Sequence, residues 1–237
     1  MNVLPLGDCY QPLLKVSKLL GAYEGAKVAG ACSVYYGFSK PSVVLSLAST
    51  ETKKALLGAA MEMVTGEFTT LCSRDELELF KEHAAVLNAE VEYQMIANPP
   101  KNSSPNRIKA RRVRKKELNV LDTFYCEHRS EAWTPLQFKV GPFYCVKMNG
   151  RIVSAAGTHV ASPQIAHMGS VVTDEAFRRR GFAMACTSRV AEHLSLKGRR
   201  MVSLFVRTEN GNAISMYERL GFKITREITL AACKKLV

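Results

Sequence analysis

The sequence predicts an α/β (α+β) fold organised as two lobes, and three observations support this prediction. Segments with the alternating apolar pattern of strands and segments with apolar residues at helical spacing follow one another along the chain. With 237 residues, 47% hydrophobic and 23% charged, the chain is long enough for two modest cores. Residues 98–106, rich in proline and small polar residues, interrupt all periodicity. We therefore expect an N-terminal α/β lobe at 1–97, a linker at 98–106 and a second domain at 107–237.

In the first lobe, strands are predicted at 31–38 and 42–48, followed by a helix with Leu57 and Val64 on its apolar face. A second helix begins at Ser73, where Glu76 completes a capping box, and its apolar face extends to Leu87. Alternating apolar residues from Val91 to Met95 predict a further strand. The lobe contains neither a glycine-rich phosphate turn nor a carboxylate cluster.

The second domain begins with a basic run at 107–116, in which apolar residues alternate with the charges as in an edge strand. A helix is predicted at about 116–126. A segment at 126–137, which contains Trp133, has no clear pattern. Two strands joined at Asn149-Gly150 follow, because Asn-Gly between alternating runs is a strong hairpin signal.

The most informative segment is VVTDEAFRRRGFA, residues 171–183, where a β-branched run leads through an acidic turn to a glycine. Gly181 permits close approach of a ligand to the backbone, and the first turn of the following helix leaves several N–H groups without intrahelical partners. The preceding Arg178, Arg179 and Arg180 add positive charge to the helix dipole. The loop is therefore predicted to bind a phosphate or pyrophosphate. Neither Gly-Lys-Ser/Thr nor GxGxxG is present, so the common nucleotide motifs do not apply.

The elements after this loop are predicted from their spacing. Apolar residues from Ala183 to Leu194 recur at helical spacing, and MVSLFVRT at 201–208 predicts a strand. A short helix then places Tyr217 on its apolar face and ends at Gly221.

At this point the chain resembles the GNAT superfamily of acyl-CoA-dependent N-acyltransferases. Two motifs about one βα unit apart support the resemblance. They are the family's Arg/Gln-x-x-Gly-x-Gly/Ala loop, matched at Arg178, Gly181 and Ala183, and its Asn-x-x-Ala-x-x-x-Tyr-x-x-x-Gly-Phe pattern, matched at Asn210, Ala213, Tyr217, Gly221 and Phe222. The family's frequent proline in the turn after the central strand is replaced here by Asp174-Glu175.

The resemblance covers roughly the C-terminal 130 residues and implies a central mixed, mostly antiparallel sheet flanked by helices. Acyl-CoA is expected between splayed strands at 167–173 and 201–208, with its pantetheine arm on the strand backbone and on Asn210. Its pyrophosphate is expected on the amides of 179–183. The implied cofactor-binding residues are Val171, Val172, Thr173, Arg178, Arg179, Arg180, Gly181, Phe182, Ala183 and Asn210. The first lobe is similar in element order to the N-terminal lobe of two-lobed enzymes that resemble glycine N-acyltransferases.

The family position of Tyr217 is that of a general acid for the departing thiolate, and a phenol with a pKa of roughly 10 suits that role. The alternative is a half-buried aromatic on an amphipathic helix. His167 is the candidate base and His159 the second candidate, although a histidine in a strand can also be structural. Trp133 is expected either to line the acceptor pocket or to anchor the core.

Together these features predict a cytoplasmic N-acetyltransferase that moves an acetyl group from acetyl-CoA directly to a primary amine. The acceptor could be a small molecule, an amino acid or a peptide. Seven cysteines without a Cys-x-x-Cys pair predict reduced thiols and no metal site, and no apolar run approaches the ~20 residues of a membrane span. The net charge of +12 keeps open an inactive GNAT-like module that binds nucleic acid or a protein. No signal indicates the oligomeric state.

Overall fold

A computed structural model describes residues 12–46, 48–98, 108–197 and 201–236. Within these ranges the strands are β1 Ser17–Glu24, β2 Lys27–Tyr35, β3 Ser42–Leu45, β4 Glu67–Cys72, β5 Ala84–Ala97, β6 Arg111–Arg112, β7 Tyr144–Met148, β8 Arg151–Ala161, β9 Ile165–Thr173, β10 Met201–Arg207 and β11 Lys223–Lys235. The α-helices are α1 Thr50–Glu62, α2 Arg74–Lys81, α3 Leu118–Glu127, α4 Phe182–Leu196 and α5 Gly211–Arg219. This mixed α/β architecture confirms the predicted fold class.

The chain forms two compact units: unit 1 is Met1–Tyr93 with Arg226–Val237, and unit 2 is Gln94–Thr225. These units differ from the expected segments 1–97 and 107–237, because the end of the chain belongs with unit 1. The physical reason is the antiparallel pairing of β11 with β4, which runs from Thr229 opposite Cys72 to Lys234 opposite Glu67. The expected linker at 98–106 lies outside the described residues, apart from Asn98.

Unit 1 has the strand order β1-β2-β3-β4-β11-β5, with α1 and α2 packed on its core. The predicted capping box is present: the Ser73 N–H donates to Glu76 Oε2 at 2.8 Å, and the Glu76 N–H donates to Ser73 Oγ at 3.2 Å. The predicted extension of this helix to Leu87 is wrong. The helix ends at Lys81 with Glu82 as its C-cap, and β5 begins at Ala84. Leu87 lies in β5 and is 52% exposed. Val86 packs against the core instead, because alternate residues of a strand face the same side.

Unit 2 contains the strand order β10-β9-β8-β7-β6. The predicted hairpin is confirmed between β7 and β8, where Asn149 and Gly150 both have positive φ, 49° and 80°, as a two-residue type I′ turn requires. The basic run supplies β6, a two-residue edge strand paired with β7. The core of this unit is aromatic: Trp133 stacks on Tyr125 at 4.7 Å and meets Phe143 edge-on at 4.9 Å.

The six cysteines in the described ranges are free, and Cys9 lies outside them. No three His, Cys, Asp or Glu side chains are grouped to hold a metal ion in the part of the chain that the structure describes. Every helix within the same ranges is too short or too polar to cross a lipid bilayer.

Candidate active site

The central feature of unit 2 is the separation of two parallel strands. β9 and β10 pair only from Ile165 opposite Met201 to His167 opposite Ser203. Beyond that point β9 continues to Thr173 along β8, while β10 continues to Arg207. The expected splay between 167–173 and 201–208 is therefore present, with His167 at its vertex. The opening exposes one backbone edge of β9 to a ligand.

Two irregularities interrupt the pairing of β8 with β9 next to this opening. The register passes from Ala155 opposite Val172 to Gly157 opposite Gly169, so β9 carries one extra residue there. Ser170 lies in this bulge and has a left-handed φ of 48°. The register shifts again between Thr158 and Val160, with the extra residue now on β8. The β9 backbone between 169 and 172 is thus turned out of the regular ladder, at the open edge of the strand.

The turn after β9 is stiffened without the family's proline. The Asp174 carboxylate accepts a hydrogen bond from the Ala176 N–H at 2.9 Å and caps a single 3-10 turn, Glu175–Phe177. The Asp174 N–H donates to the Val153 carbonyl at 2.9 Å, which ties the turn to β8. An aspartate cap therefore fixes the direction in which the chain enters the loop.

The loop ends in the backbone conformation expected of an anion cradle. Arg179 has φ 61°, and Gly181 has φ 80° and ψ 5° at the N-cap of α4. Arg178 before them is extended, so the backbone passes from extended to left-handed, and successive N–H groups in such turns form concave anion-binding sites. No acidic residue occurs in the first turn of α4. Gly181, Phe182 and Ala183 are half-buried at this turn.

The three arginines before the glycine differ in their contacts. Arg178 is tied back to the turn: its Nε donates to the Thr173 carbonyl at 3.3 Å, and its Nη1 lies 3.1 Å from Glu175 Oε1. Arg180 lies over the ring of Phe177 at 5.3 Å. All three are exposed. Arg178 thus braces the loop, while Arg179 and Arg180 bring positive charge to its surface.

The β9 residues expected to contact pantetheine are half-buried. Val172 packs against the aromatic core of unit 2, and Thr173 Oγ1 shares a hydrogen bond with Ser154 Oγ at 2.8 Å. Val171 follows the bulge residue Ser170 directly. These three residues form the end of β9 that lies beyond the last pair with β10.

The second motif forms α5. Asn210 is its N-cap, and its side-chain oxygen accepts a hydrogen bond from the Ala213 N–H at 3.1 Å. Tyr217 is 5% exposed and lies at 6.0 Å, edge-on, from the ring of Phe222. Gly221 has φ 87°, as expected where this helix ends. The motif therefore has a structural role, because Asn210 caps the helix N-terminus and Gly221 allows the helix to end. The same helix buries Tyr217.

Of the two candidate bases, His167 is buried in the sheet and His159 is half-buried. His167 is 3% exposed, and its Nδ1 is 3.0 Å from Ser203 Oγ. Burial, with the neighbouring His159, holds the pKa of His167 well below 6.5. Burial also lowers the pKa of His159 to about 4, and its Nε2 is 2.7 Å from Ser170 Oγ. Both imidazoles are consequently neutral near pH 7.

Trp133 fits both of the roles considered for it. Its indole N–H donates to Asp122 Oδ1 at 2.8 Å, and its ring anchors the aromatic core. It also borders a cavity of about 420 Å³, which residues of the segment 126–137, Glu131 among them, line together with Asp122 and Tyr125 of α3. Sequence analysis did not identify Tyr125 or Ser170 as functional residues. Neither belongs to a motif, because a tyrosine in a helix and a serine in a strand are common in any fold.

Similarity to known proteins agrees with this geometry. The family model described as FR47-like protein matches residues 148–230. The chain is 28% identical over 120 residues to an uncharacterized N-acetyltransferase of Methanocaldococcus jannaschii, across 46% of this chain and 52% of that protein. The match thus spans about half the length of that curated relative.

Solved structures extend the likeness over most of the chain. A protein of Novosphingobium aromaticivorans assigned to the GNAT acetyltransferase family has a TM-score of 0.67 at 19% identity, with 92% of each chain covered. A GCN5-related N-acetyltransferase from Kribbella flavida has a TM-score of 0.66 at 13% identity, with 96% of this chain and 92% of that chain covered. At such identities these likenesses establish the fold. The family-model match and the curated relative agree with the resemblance to GNAT N-acyltransferases that the two motifs indicate.

Proposed function

We propose that this protein is an acetyl-CoA-dependent N-acetyltransferase that transfers the acetyl group directly to a primary amine in a ternary complex. The observation that carries the proposal is the separation of β9 from β10 beyond His167 and Ser203, next to the left-handed loop that opens α4. An open strand edge beside an anion cradle suits a ligand with an amide-rich arm and a pyrophosphate. CoA has both groups.

The pantetheine arm is proposed to pair with β9 at Val171, Val172 and Thr173. Main-chain hydrogen bonds to an unpaired strand edge are a common way to bind an extended, amide-containing ligand. Asn210 is proposed to contact the same arm. Its side-chain oxygen already caps α5, so its NH₂ group is the donor for this contact.

The pyrophosphate is proposed to sit on the N–H groups of 179–183. Support comes from the positive φ of Arg179 and Gly181 and from the partial positive charge of the α4 N-terminus. Arg178 would act by bracing this loop, and the exposed Arg179 and Arg180 would attract the polyanion. No metal ion has a part in this proposal.

Acetyl transfer requires stabilisation of the oxyanion that develops on the thioester carbonyl. The β9 bulge is the proposed source, because it turns an N–H between 169 and 172 out of the ladder at the open edge of the strand. As the tetrahedral intermediate collapses, the C–S bond breaks and the thiolate takes a proton. Tyr217 is proposed as that proton donor, supported by its motif position on α5 and by its burial.

His167 is the proposed base, acting through water on the acceptor ammonium. Its Nδ1 is engaged with Ser203, so Nε2 is the nitrogen proposed to accept the proton. Burial lowers the pKa of this imidazole and so keeps it unprotonated, as a base must be before it accepts a proton. His159 is the second candidate, but its Nε2 is already hydrogen-bonded to Ser170.

The amine acceptor is proposed to enter the cavity of about 420 Å³ beside Trp133. That volume lies within the range of small-molecule pockets, roughly 300–1,000 Å³. Two carboxylates on its wall, Asp122 and Glu131, outnumber the one cation among its described lining residues, Arg129, and this balance would favour a cationic amine. The proposed acceptor is a small amine, an amino acid or a peptide.

A cytoplasmic location is also proposed. The six free cysteines of the described residues support it, because thiols stay reduced in that compartment.

The test is acetyl-CoA binding by isothermal titration, followed by a screen of amine acceptors that detects release of the CoA thiol. We expect wild-type protein to bind acetyl-CoA and to turn over at least one amine. Tyr217→Phe should retain binding and lose about 10²-fold or more in kcat. If acetyl-CoA and longer acyl-CoAs all fail to bind, the proposal is wrong.

A second candidate function, binding of nucleic acid by an inactive GNAT-like module, is favoured by one observation. A cavity of about 400 Å³ in unit 2 is lined by Arg112, Lys139, His193 and Lys197 and by no carboxylate among the described residues. Such a surface would bind phosphates with a strong salt dependence. Oligonucleotide binding that weakens steeply with salt, in a protein without CoA affinity, would favour this candidate.

A further inference from the structure

The bulge in β9 is held by side chains from two other elements. Ser170 occupies a left-handed conformation, with φ 48°, that residues other than glycine rarely adopt. A serine persists in such a conformation only when its surroundings determine it. Two contacts on Ser170 do so here, one on its carbonyl and one on its hydroxyl.

The carbonyl contact comes from Tyr125 on α3. Its hydroxyl donates to the Ser170 carbonyl at 2.8 Å across 45 residues of sequence. The Tyr125 ring is fixed between Trp133, stacked at 4.7 Å, and Phe143, edge-on at 6.2 Å. Burial raises the pKa of this phenol well above 10, so it remains a proton donor. A rigid donor thus holds the peptide group that follows Ser170.

The hydroxyl contact comes from His159, the extra residue of the second bulge on β8. Its Nε2 is 2.7 Å from Ser170 Oγ. The imidazole lies against Gly169, where an added Cβ would be only 2.4 Å from its Cε1 atom. The missing side chain at Gly169 is therefore what admits the ring. The two bulges are complementary, because the residue added to β8 supports the residue added to β9.

We propose that Tyr125 and His159 are positioning residues that hold the Ser170 peptide in its left-handed conformation and thereby aim the oxyanion-stabilising N–H of the bulge. This inference rests on the proposed acetyl transfer. Tyr125 also borders the cavity proposed for the acceptor, so one ring joins the acceptor site to the oxyanion site.

The experiment compares Tyr125→Phe with Tyr144→Phe. The control removes a similar buried hydroxyl in the same unit, where Tyr144 shares a hydrogen bond with His193 Nδ1 at 3.2 Å. Hydrogen exchange measured by mass spectrometry reports on the 169–172 backbone. We expect Tyr125→Phe to speed exchange there by about tenfold, and Tyr144→Phe to leave it unchanged.

The kinetic arm uses the same pair of variants. We expect Tyr125→Phe to lower kcat by roughly 10- to 100-fold, less than the loss of a whole oxyanion donor, with acetyl-CoA affinity within about threefold of wild type. If the Tyr125 hydroxyl only stabilised the fold, the two substitutions would lower kcat by similar factors. Equal kcat in Tyr125→Phe and Tyr144→Phe, or equal exchange at 169–172, would overturn the proposal.

A rescue variant separates positioning from general destabilisation. Glycine adopts a left-handed φ without strain, so Ser170→Gly removes the need for the restraint. We expect the fold-loss in kcat caused by Tyr125→Phe to be smaller in the Ser170→Gly background than in wild type. An equal loss in both backgrounds would contradict the inference. A third outcome separates the two proposals. If Tyr125→Phe exchanges faster than wild type at 169–172 but the wild-type protein binds no acyl-CoA, the proposed function is wrong while the restraint of Ser170 is supported.

Discussion

Gly181→Glu is the most direct perturbation of the proposed pyrophosphate cradle. It puts a carboxylate at the N-cap of α4, where Gly181 has φ 80°. A matched control exists in the same unit: Gly150, in the β7–β8 turn, also has φ 80° and has open space around it. Either substitution adds one negative charge and forces a side chain into left-handed backbone. Each should therefore lower the free energy of unfolding by about 1–2 kcal/mol.

The two variants should differ in ligand affinity. A carboxylate about 6 Å from one phosphate charge is repelled by about 0.7 kcal/mol in bulk water and by about 2.8 kcal/mol at an effective dielectric of 20. The loop arginines are exposed, so the lower part of this range applies, and a pyrophosphate carries two such charges. We expect the Kd for acetyl-CoA to rise by about 10- to 100-fold in Gly181→Glu.

Isothermal titration at fixed, low ionic strength measures both affinities, and thermal unfolding verifies that both variants are folded. Gly150→Glu should bind acetyl-CoA with the wild-type Kd. If Gly181→Glu also keeps the wild-type Kd, the pyrophosphate does not bind at this helix N-terminus. Loss of affinity in both variants would indicate a long-range effect of charge or stability instead.

Three further predictions concern the cap, the buried imidazole and the glycines. Asn210→Asp should keep the helix cap and the stability while it weakens acetyl-CoA binding, whereas Asn210→Ala should also lower the free energy of unfolding by about 1 kcal/mol, as denaturant titration can measure. The folded-state pKa of His159, about 4, lies below its unfolded value of about 6.5. The unfolded state therefore binds more protons in this window, and stability should fall as the pH drops from 6.5 to 4, by up to about 3 kcal/mol from this residue. Gly157→Ala should destabilise by at least about 2 kcal/mol, because its Cβ would lie 1.9 Å from a ring carbon of Phe143, while Gly58→Ala, in open space on α1, should stabilise by up to about 1 kcal/mol.

Each of these predictions has a contradicting result. Equal acetyl-CoA affinity in Asn210→Asp and wild type would restrict Asn210 to capping. If the unfolding free energy of His159→Phe falls as steeply as that of wild type between pH 6.5 and 4, His159 does not cause the pH dependence. A Tm of Gly157→Ala at or above that of Gly58→Ala would mean that the Phe143 ring moves at little cost.

The motif-bearing half of the fold could be predicted because its signals are local. The Asn149-Gly150 turn, the Gly181 N-cap and the end of α5 at Gly221 each depend on a conformation that favours glycine or asparagine, so a few letters specify them. The parting of β9 and β10 was expected from the family resemblance, and the last β9 residue that pairs with β10 is His167, the first residue of the strand expected there.

Other features depend on contacts distant in sequence. β1 was not predicted because none of its residues is buried, so no alternating pattern marks it. Leu87 was assigned to a helix because the spacing of apolar residues there is compatible with both periods. The restraint of Ser170 by Tyr125 spans 45 residues, and nothing near either residue indicates it.

The pairing of β11 with β4 joins residues about 160 positions apart and places all of unit 2 within the sequence of unit 1. During synthesis on the ribosome, the segment up to Tyr93 therefore emerges long before the strand that completes its sheet. Until then β4 lacks β11 as a neighbour, and an unpaired edge is prone to bind other chains. Unit 2, which is continuous in sequence, can fold during that interval. A chain released before residue 226 would thus carry all of unit 2 behind an incomplete unit 1.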